Sequence, residues 1–133
     1  RDWSSDVCSS DLYTEHLQVC NYLATHYSNV LFTTDLSGVK LNMGTAIKIK
    51  NLKSCRGFPD IFILQPNKNF KGLFIELKRS GEKIFKKDGS FKSEHLQEQS
   101  EVIKKLNNLG YLATFCIGSD NAIEVINNYL NMI

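Results

Sequence analysis

An α/β domain with a mixed sheet covered by helices is the fold class this sequence predicts, and three patterns predict it. Two apolar, β-rich runs, "DIFIL" at 60–64 and "GLFIELK" at 72–78, stand on either side of the turn-like "PNKN". Both carry apolar residues at alternate and intervening positions, the pattern of strands covered on both faces. Around them, segments at 15–27 and 94–109 show helical spacing, so the element order reads α-β-(α)-β-β-α-β-α.

The first segment, "RDWSSDVCSSDL", has no apolar periodicity and lacks both the basic and the apolar regions of a signal peptide. It resembles the conceptual translation of a common short-read sequencing adapter. Residues 1–12 are therefore set aside as non-native, the natural start is expected to be missing or misplaced, and 13–133 is read as one domain. Setting it aside removes Arg1 with Asp2, Asp6 and Asp11, which takes the formal charge from +2 to +4. Cys8 and Trp3 go with it.

From there the elements follow in order. Thr14 is the expected N-cap of a helix from Glu15 to about Tyr27, with Val19, Tyr22, Leu23 and His26 on one stripe. "NVLFTTD" at 29–35 is a short strand, and a helix is expected over Met43 to Leu52. Strands at Asp60–Gln65 and Gly72–Arg79 pair as a hairpin, followed by a basic, glycine-containing connection over 80–92. Ser93 caps a helix running to about Leu109 and closed by Gly110, "YLATFCI" at 111–117 is a strand, and Asn121 to Leu130 is a final helix. "TEHLQ" at 14–18 and "SEHLQ" at 93–97 echo each other as two similar helix starts rather than as a repeat.

Some classes are excluded. No apolar run approaches the roughly 20 residues that span a bilayer. Cys20, Cys55 and Cys116 show no CxxC spacing, and His16, Cys20 and His26 lack the tight ligand pairs of a structural zinc site. Reduced thiols in a cytosolic core are the expectation.

The charges inside the apolar runs carry the chemistry. Alternation puts Glu76 and Lys78 on one face of their strand and Leu77 on the other. Asp60 stands opposite them if the runs pair. Two carboxylates about 4 Å apart repel by roughly 1 kcal/mol in water and about 4 kcal/mol at an effective dielectric of 20, a cost that a cation between them removes. Hard oxygens with few competing ligands suit Mg²⁺, with Mn²⁺ as the alternative, and the Leu77 carbonyl offers one more oxygen. Lys78 beside such an ion holds an attacking water or the charge developing at phosphorus. A Glu-x-Lys triplet alone is common by chance, and an ion pair at a solvated strand end is the plain alternative. The Pro-Asp opening a neighbouring apolar run favours the site.

"GFPDIFIL", "GLFIELK" and "EHLQEQSEVIKKLNNLGYLATFCIG" together resemble the PD-(D/E)xK nuclease superfamily, and most closely the VRR-NUC type (virus-type replication-repair nuclease) in its small stand-alone phage form. The resemblance covers 13–133 and implies a restriction-endonuclease-like αβββαβ core. It implies that Asp60 and Glu76 bind metal and that Lys78 is the catalytic lysine. Glu15 matches the family's extra acidic residue in the first helix, as a further metal and catalytic residue; the alternative is a first-turn acid favoured by the helix dipole. Gln99, on the stripe Leu96, Gln99, Ile103, Leu106, matches a glutamine near the lysine, against the alternative of a structurally satisfied amide. His95 reads as a surface residue of the helix start, and Gly57 as a backbone turn into the strand.

Positive charge clusters at 40–56 and 79–92, whereas 117–133 holds Asp120 and Glu124 with no base. Lys48, Lys50, Lys53, Arg56, Arg79, Lys83, Lys86 and Lys87 are the expected nucleic-acid contacts, tracking the phosphate backbone of duplex or branched DNA with little base readout. Simple solubility is the alternative for such lysines. The leading expectation is a Mg²⁺-dependent endonuclease of phage-like replication or repair, selective for branched DNA, in the cytoplasm of a bacterial or phage-infected host cell. The other readings are a less selective restriction-type nuclease and a catalytically silent DNA-binding module. A homodimer is expected, because one small domain offers little surface for reading DNA shape.

Overall fold

The computed structural model describes residues 11–35 and 41–132. Its elements are α1 (Leu12–His26), β1 (Phe32–Thr34), α2 (Met43–Asn51), β2 (Ile61–Ile63), β3 (Leu73–Lys78), α3 (Glu94–Asn108), β4 (Leu112–Ile117) and α4 (Ser119–Leu130). The order matches the sequence expectation, and the strands are shorter at their ends. Helix α1 starts three residues before Glu15. Its N-cap is Asp11, not Thr14: the Asp11 carboxylate accepts from the Thr14 N–H at 2.7 Å. Residues 1–10 of the segment set aside lie outside the described residues, while Asp11 and Leu12 belong to this helix. Helix α4 starts at Ser119, two residues earlier than expected, behind Gly118 at φ +83°.

Four strands form one sheet in the order β1-β2-β3-β4, with β1, β2 and β3 antiparallel and β4 parallel to β3. A parallel neighbour needs a crossover, and α3 supplies it. The β2–β3 hairpin turns where the Asn67 side chain accepts from the Asn69 and Phe70 N–H groups at 2.9 and 2.8 Å.

Strand β3 is the pivot because both of its faces are covered. Leu73, Ile75 and Leu77 join Val19 and Leu23 of α1 and Ile126 and Tyr129 of α4 in the larger core cluster. Phe74 on the opposite face packs with Val102, Ile103 and Leu106 of α3 and with Tyr111. The alternation that fills both cores leaves Glu76 and Lys78 on the α3 face, at the C-terminal end of the strand. Helix α2 differs in kind, since it buries no residue.

Ile75 is fully buried in the larger cluster. Ile75→Ala is expected to lower unfolding free energy by about 2–5 kcal/mol in urea titrations. The exposed Ile47→Ala should change it by less than about 0.5 kcal/mol.

Candidate active site

The hairpin register pairs Ile61 with Ile75, and one step further places Asp60 opposite Glu76. Asp60 is fixed from three directions. Its N–H donates to the Ile75 carbonyl at 2.9 Å, its own carbonyl accepts from the Asp35 N–H at 2.8 Å, and its Oδ2 accepts from the Leu77 N–H at 2.8 Å. The side chain thus replaces a strand partner where β2 ends. Pro59 before it is fully buried. Gly57, at φ +81°, lets the same loop lie against α3: a Cβ there would meet the Gln99 N and Glu98 C atoms at 3.2 Å.

Lys78 is buried and aimed. Its Nζ donates to Gln99 Oε1 at 2.8 Å and stands 3.8 Å from Glu76 Oε2. The shorter contact decides its direction, so α3 holds the ammonium beside the carboxylates rather than against one of them. Gln99 is therefore partnered as its place on the apolar stripe required. An ammonium has no acceptor, so the amide face turned to Lys78 is oxygen and the Gln99 nitrogen faces His95 Nε2 at 3.2 Å. That leaves His95 Nε2 as an acceptor, with the ring proton on Nδ1.

The two acids cannot both carry charge comfortably. Burial pushes the Glu76 carboxyl up to about 10, helped by its hydrogen bond to Asp60 and the Asp60 charge, while Lys78 pulls the other way. Glu76 Oε1 is buried with no hydrogen-bond partner. Two buried acids beside an orphaned oxygen mark a place that a divalent cation fits, because it would supply the positive charge and the missing contact. Asp60, Glu76 and the Leu77 carbonyl are the oxygens that would hold it. Among the described residues, no group of three or more His, Cys, Asp or Glu side chains gathers in metal-holding geometry.

Glu15 stands apart from that pair. Its Oε2 accepts from the Ser80 N–H at 2.8 Å, and its Oε1 accepts from the Ser80 hydroxyl at 2.5 Å and the Ser119 N–H at 3.3 Å. It clamps the exit of β3 to the start of α4, where the Gly118 N–H also donates to the Lys78 carbonyl at 2.7 Å. Glu15 thus also holds the backbone that carries Lys78.

A cleft of about 460 Å³ opens over the site, lined by Asp60, Glu76, Leu77, Lys78, Gln99 and His95 among others. Of the expected nucleic-acid residues, Lys50, Lys53 and Arg56 line it. Lys53 is committed to Asp35 by an ion pair at 2.7 Å, whereas Arg56 is 65% exposed and only 3.7 Å from Glu98. Lys48 is exposed on α2, and Arg79, Lys83, Lys86 and Lys87 are exposed beyond the end of β3. Lys40 lies outside the described residues.

Sequence reasoning missed two titratable neighbours. Asp35 is buried and its charge reaches Glu76. His16 is buried near Asp60, with its ring held below the usual imidazole range by burial while the Asp60 charge opposes that. His95 is exposed, as its place at the helix start suggested, and its ring still reaches the Gln99 amide four positions on. Cys20, Cys55 and Cys116 are free thiols; burial pushes Cys116 up to about 12, so it is unreactive.

A mixed four-stranded sheet flanked by helices, with an acid, a second acid and a lysine at the ends of adjoining strands, defines the restriction-endonuclease-like class. A solved structure titled "VRR_NUC domain protein" is similar to this chain at 32% identity and a TM-score of 0.51, over 66% of this chain and 64% of that one. That likeness supports a VRR-NUC domain in this chain. It spans just under two thirds of that relative's length. No family model and no curated protein matches the chain.

The raised Glu76 carboxyl has a pH consequence. Its proton favours the folded state, so that stability is fully present below the unfolded value of 4.5 and is lost as pH rises through about 10. In chelator, the melting temperature of the wild type should fall relative to Glu76→Gln as pH rises from about 5 to about 9. A difference that stays flat with pH would show that burial does not raise the Glu76 carboxyl.

Proposed function

We propose that this domain is a divalent-metal-dependent DNA endonuclease that hydrolyses phosphodiester bonds, selective for branched DNA in phage-like replication or repair. The observation that carries the reading is the buried Asp60–Glu76 pair, with Glu76 Oε1 unpartnered and the Lys78 ammonium held beside it by Gln99. Mg²⁺ is the proposed cofactor, with Mn²⁺ as the alternative; bound at these oxygens, it supplies charge neutralisation and acidifies a water.

The chain's own residues supply the rest. Lys78 donates to the attacking water or to a non-bridging phosphate oxygen, whose negative charge grows as the water adds and the bond to the leaving oxygen breaks. The attacking water gives up its proton to solvent, and the leaving oxygen takes one from solvent. Gln99 keeps the ammonium on that line. Lys50 and Arg56 at the cleft hold flanking phosphates, and the exposed Lys48, Arg79, Lys83, Lys86 and Lys87 extend the basic track. Glu15 is proposed as a further metal and catalytic residue, and it also holds the backbone that carries Lys78. The reaction takes place in the cytoplasm of a bacterial or phage-infected cell; among the described residues no helix is long and apolar enough to cross a membrane.

The test incubates the protein with linear, flapped and four-way DNA, in Mg²⁺ or EDTA, beside Lys78→Ala. Cutting is expected only with the cation, fastest on branched substrates, and about 10²–10³-fold slower in the variant. Binding without cutting that the substitution leaves unchanged would identify a silent module. Equal cutting of all three DNAs would identify a less selective, restriction-type nuclease.

The proposed unit is a homodimer that sets two clefts against paired strands. Light scattering should return twice the chain mass of 15.1 kDa, and a strict monomer active on four-way DNA would overturn the dimer.

A further inference from the structure

Between the strand that carries Lys78 and the helix that carries Gln99, the chain makes an excursion whose shape and aromatic residues the candidate site leaves unexplained. Residues 84–92 fold back as a small hairpin: Phe85 bridges Phe91, the Lys92 N–H donates to the Ile84 carbonyl at 2.9 Å, and the Lys86 N–H donates to the Ser90 carbonyl at 2.7 Å. Ile84 is buried and anchors its base. The turn is set by the Asp88 side chain, which accepts from the Ser90 N–H at 3.0 Å and the Ser90 hydroxyl at 2.6 Å.

What this hairpin displays is unusual for a surface loop. The Phe85 and Phe91 rings stand 5.0 Å apart at 32°, and Phe85 is 53% exposed. Around them Lys83, Lys86, Lys87 and Lys92 are all exposed, against the single acid Asp88. Glu82 and His95, which flank the excursion in sequence, both line the cleft, so the two ends of the excursion start from it.

We propose that the 84–92 hairpin binds unpaired DNA at a branch point, with a base stacked on Phe85 and its phosphates on Lys86 and Lys87. An open aromatic face flanked by lysines suits a single strand, because bases inside a duplex already have their faces stacked and only unpaired ones can pack on a ring. The lysines match the phosphate charge whatever the bases are. The inference rests on the DNA reading of the adjoining cleft and adds the element that tells a branch from a plain duplex.

Binding is measured in EDTA, where no hydrolysis occurs, by anisotropy of labelled oligothymidylate, flapped duplex and blunt duplex. Phe85→Leu keeps an apolar partner for Phe91 but removes the ring face. It is expected to weaken binding to oligothymidylate and to the flap about tenfold and to leave the blunt duplex unchanged. Lys86→Ala with Lys87→Ala should weaken all three and flatten the salt dependence. In Phe85→Trp, oligothymidylate should quench the emission of the new indole and blunt duplex should not. Unchanged flap binding in Phe85→Leu, equal weakening on blunt duplex, or no binding of oligothymidylate at all would overturn the proposal. Magnesium-dependent cutting that needs Lys78 but ignores Phe85 would sink the hairpin alone; stacking at position 85 without any cutting would sink the nuclease reading alone.

Discussion

Two carboxyl groups held together inside a protein are the constraint on which the rest of this site turns. Asp60 and Glu76 meet because β2 and β3 pair in a register that leaves them opposite each other, on the face that α3 covers. Neither can move away. The Asp60 backbone is bonded to both neighbouring strands, and its side chain is bonded to the Leu77 N–H. Burial and the Asp60 charge push the Glu76 carboxyl up, and an unpartnered Glu76 oxygen remains. Buried acids with a shifted carboxyl cluster at functional sites, and Lys78 stands 3.8 Å from Glu76 here.

The surroundings are built to hold that arrangement still. Gln99 takes the Lys78 ammonium, and His95 takes the Gln99 amide nitrogen, so a helix on one side of the sheet aims a side chain at the strand's end. From the other side, Glu15 binds Ser80 and Ser119 and so ties the exit of β3 to the start of α4. Gly57 lets the loop before Asp60 approach α3, where a Cβ would meet the Gln99 backbone at 3.2 Å. Precision thus comes from three elements that do not touch one another in sequence. The parts expected to meet the substrate differ: α2 buries nothing, and the 84–92 hairpin is anchored only at Ile84 and the ring pair.

Much of this was legible in the residues. The apolar runs at 60–64 and 72–78 became β2 and β3 because strand patterning depends on local sequence alone. Ser93 and Gly110 marked the ends of α3, since caps are local chemistry too. The N-terminus of α1 was misplaced because Asp11 sits in a segment without apolar periodicity, and a cap is invisible when the residues before it are discarded. Lys53 read as a free cation, yet it lies within 2.7 Å of Asp35, 18 positions away, and no local pattern predicts such a pair.

The sequence by itself determined the class of fold and the three groups at its centre. Asp60, Glu76 and Lys78 follow from alternation along strands and from one turn, both of which are short-range properties. Only the tertiary structure decided what those groups experience. Glu15 was bonded to Ser80 and Ser119, the His95 ring was brought to the Gln99 amide, and Asp35 and His16 were brought beside the acids, through contacts spanning up to 104 residues of chain. Burial, raised carboxyls and hydrogen-bond partners arise from packing, and packing is set where distant segments meet.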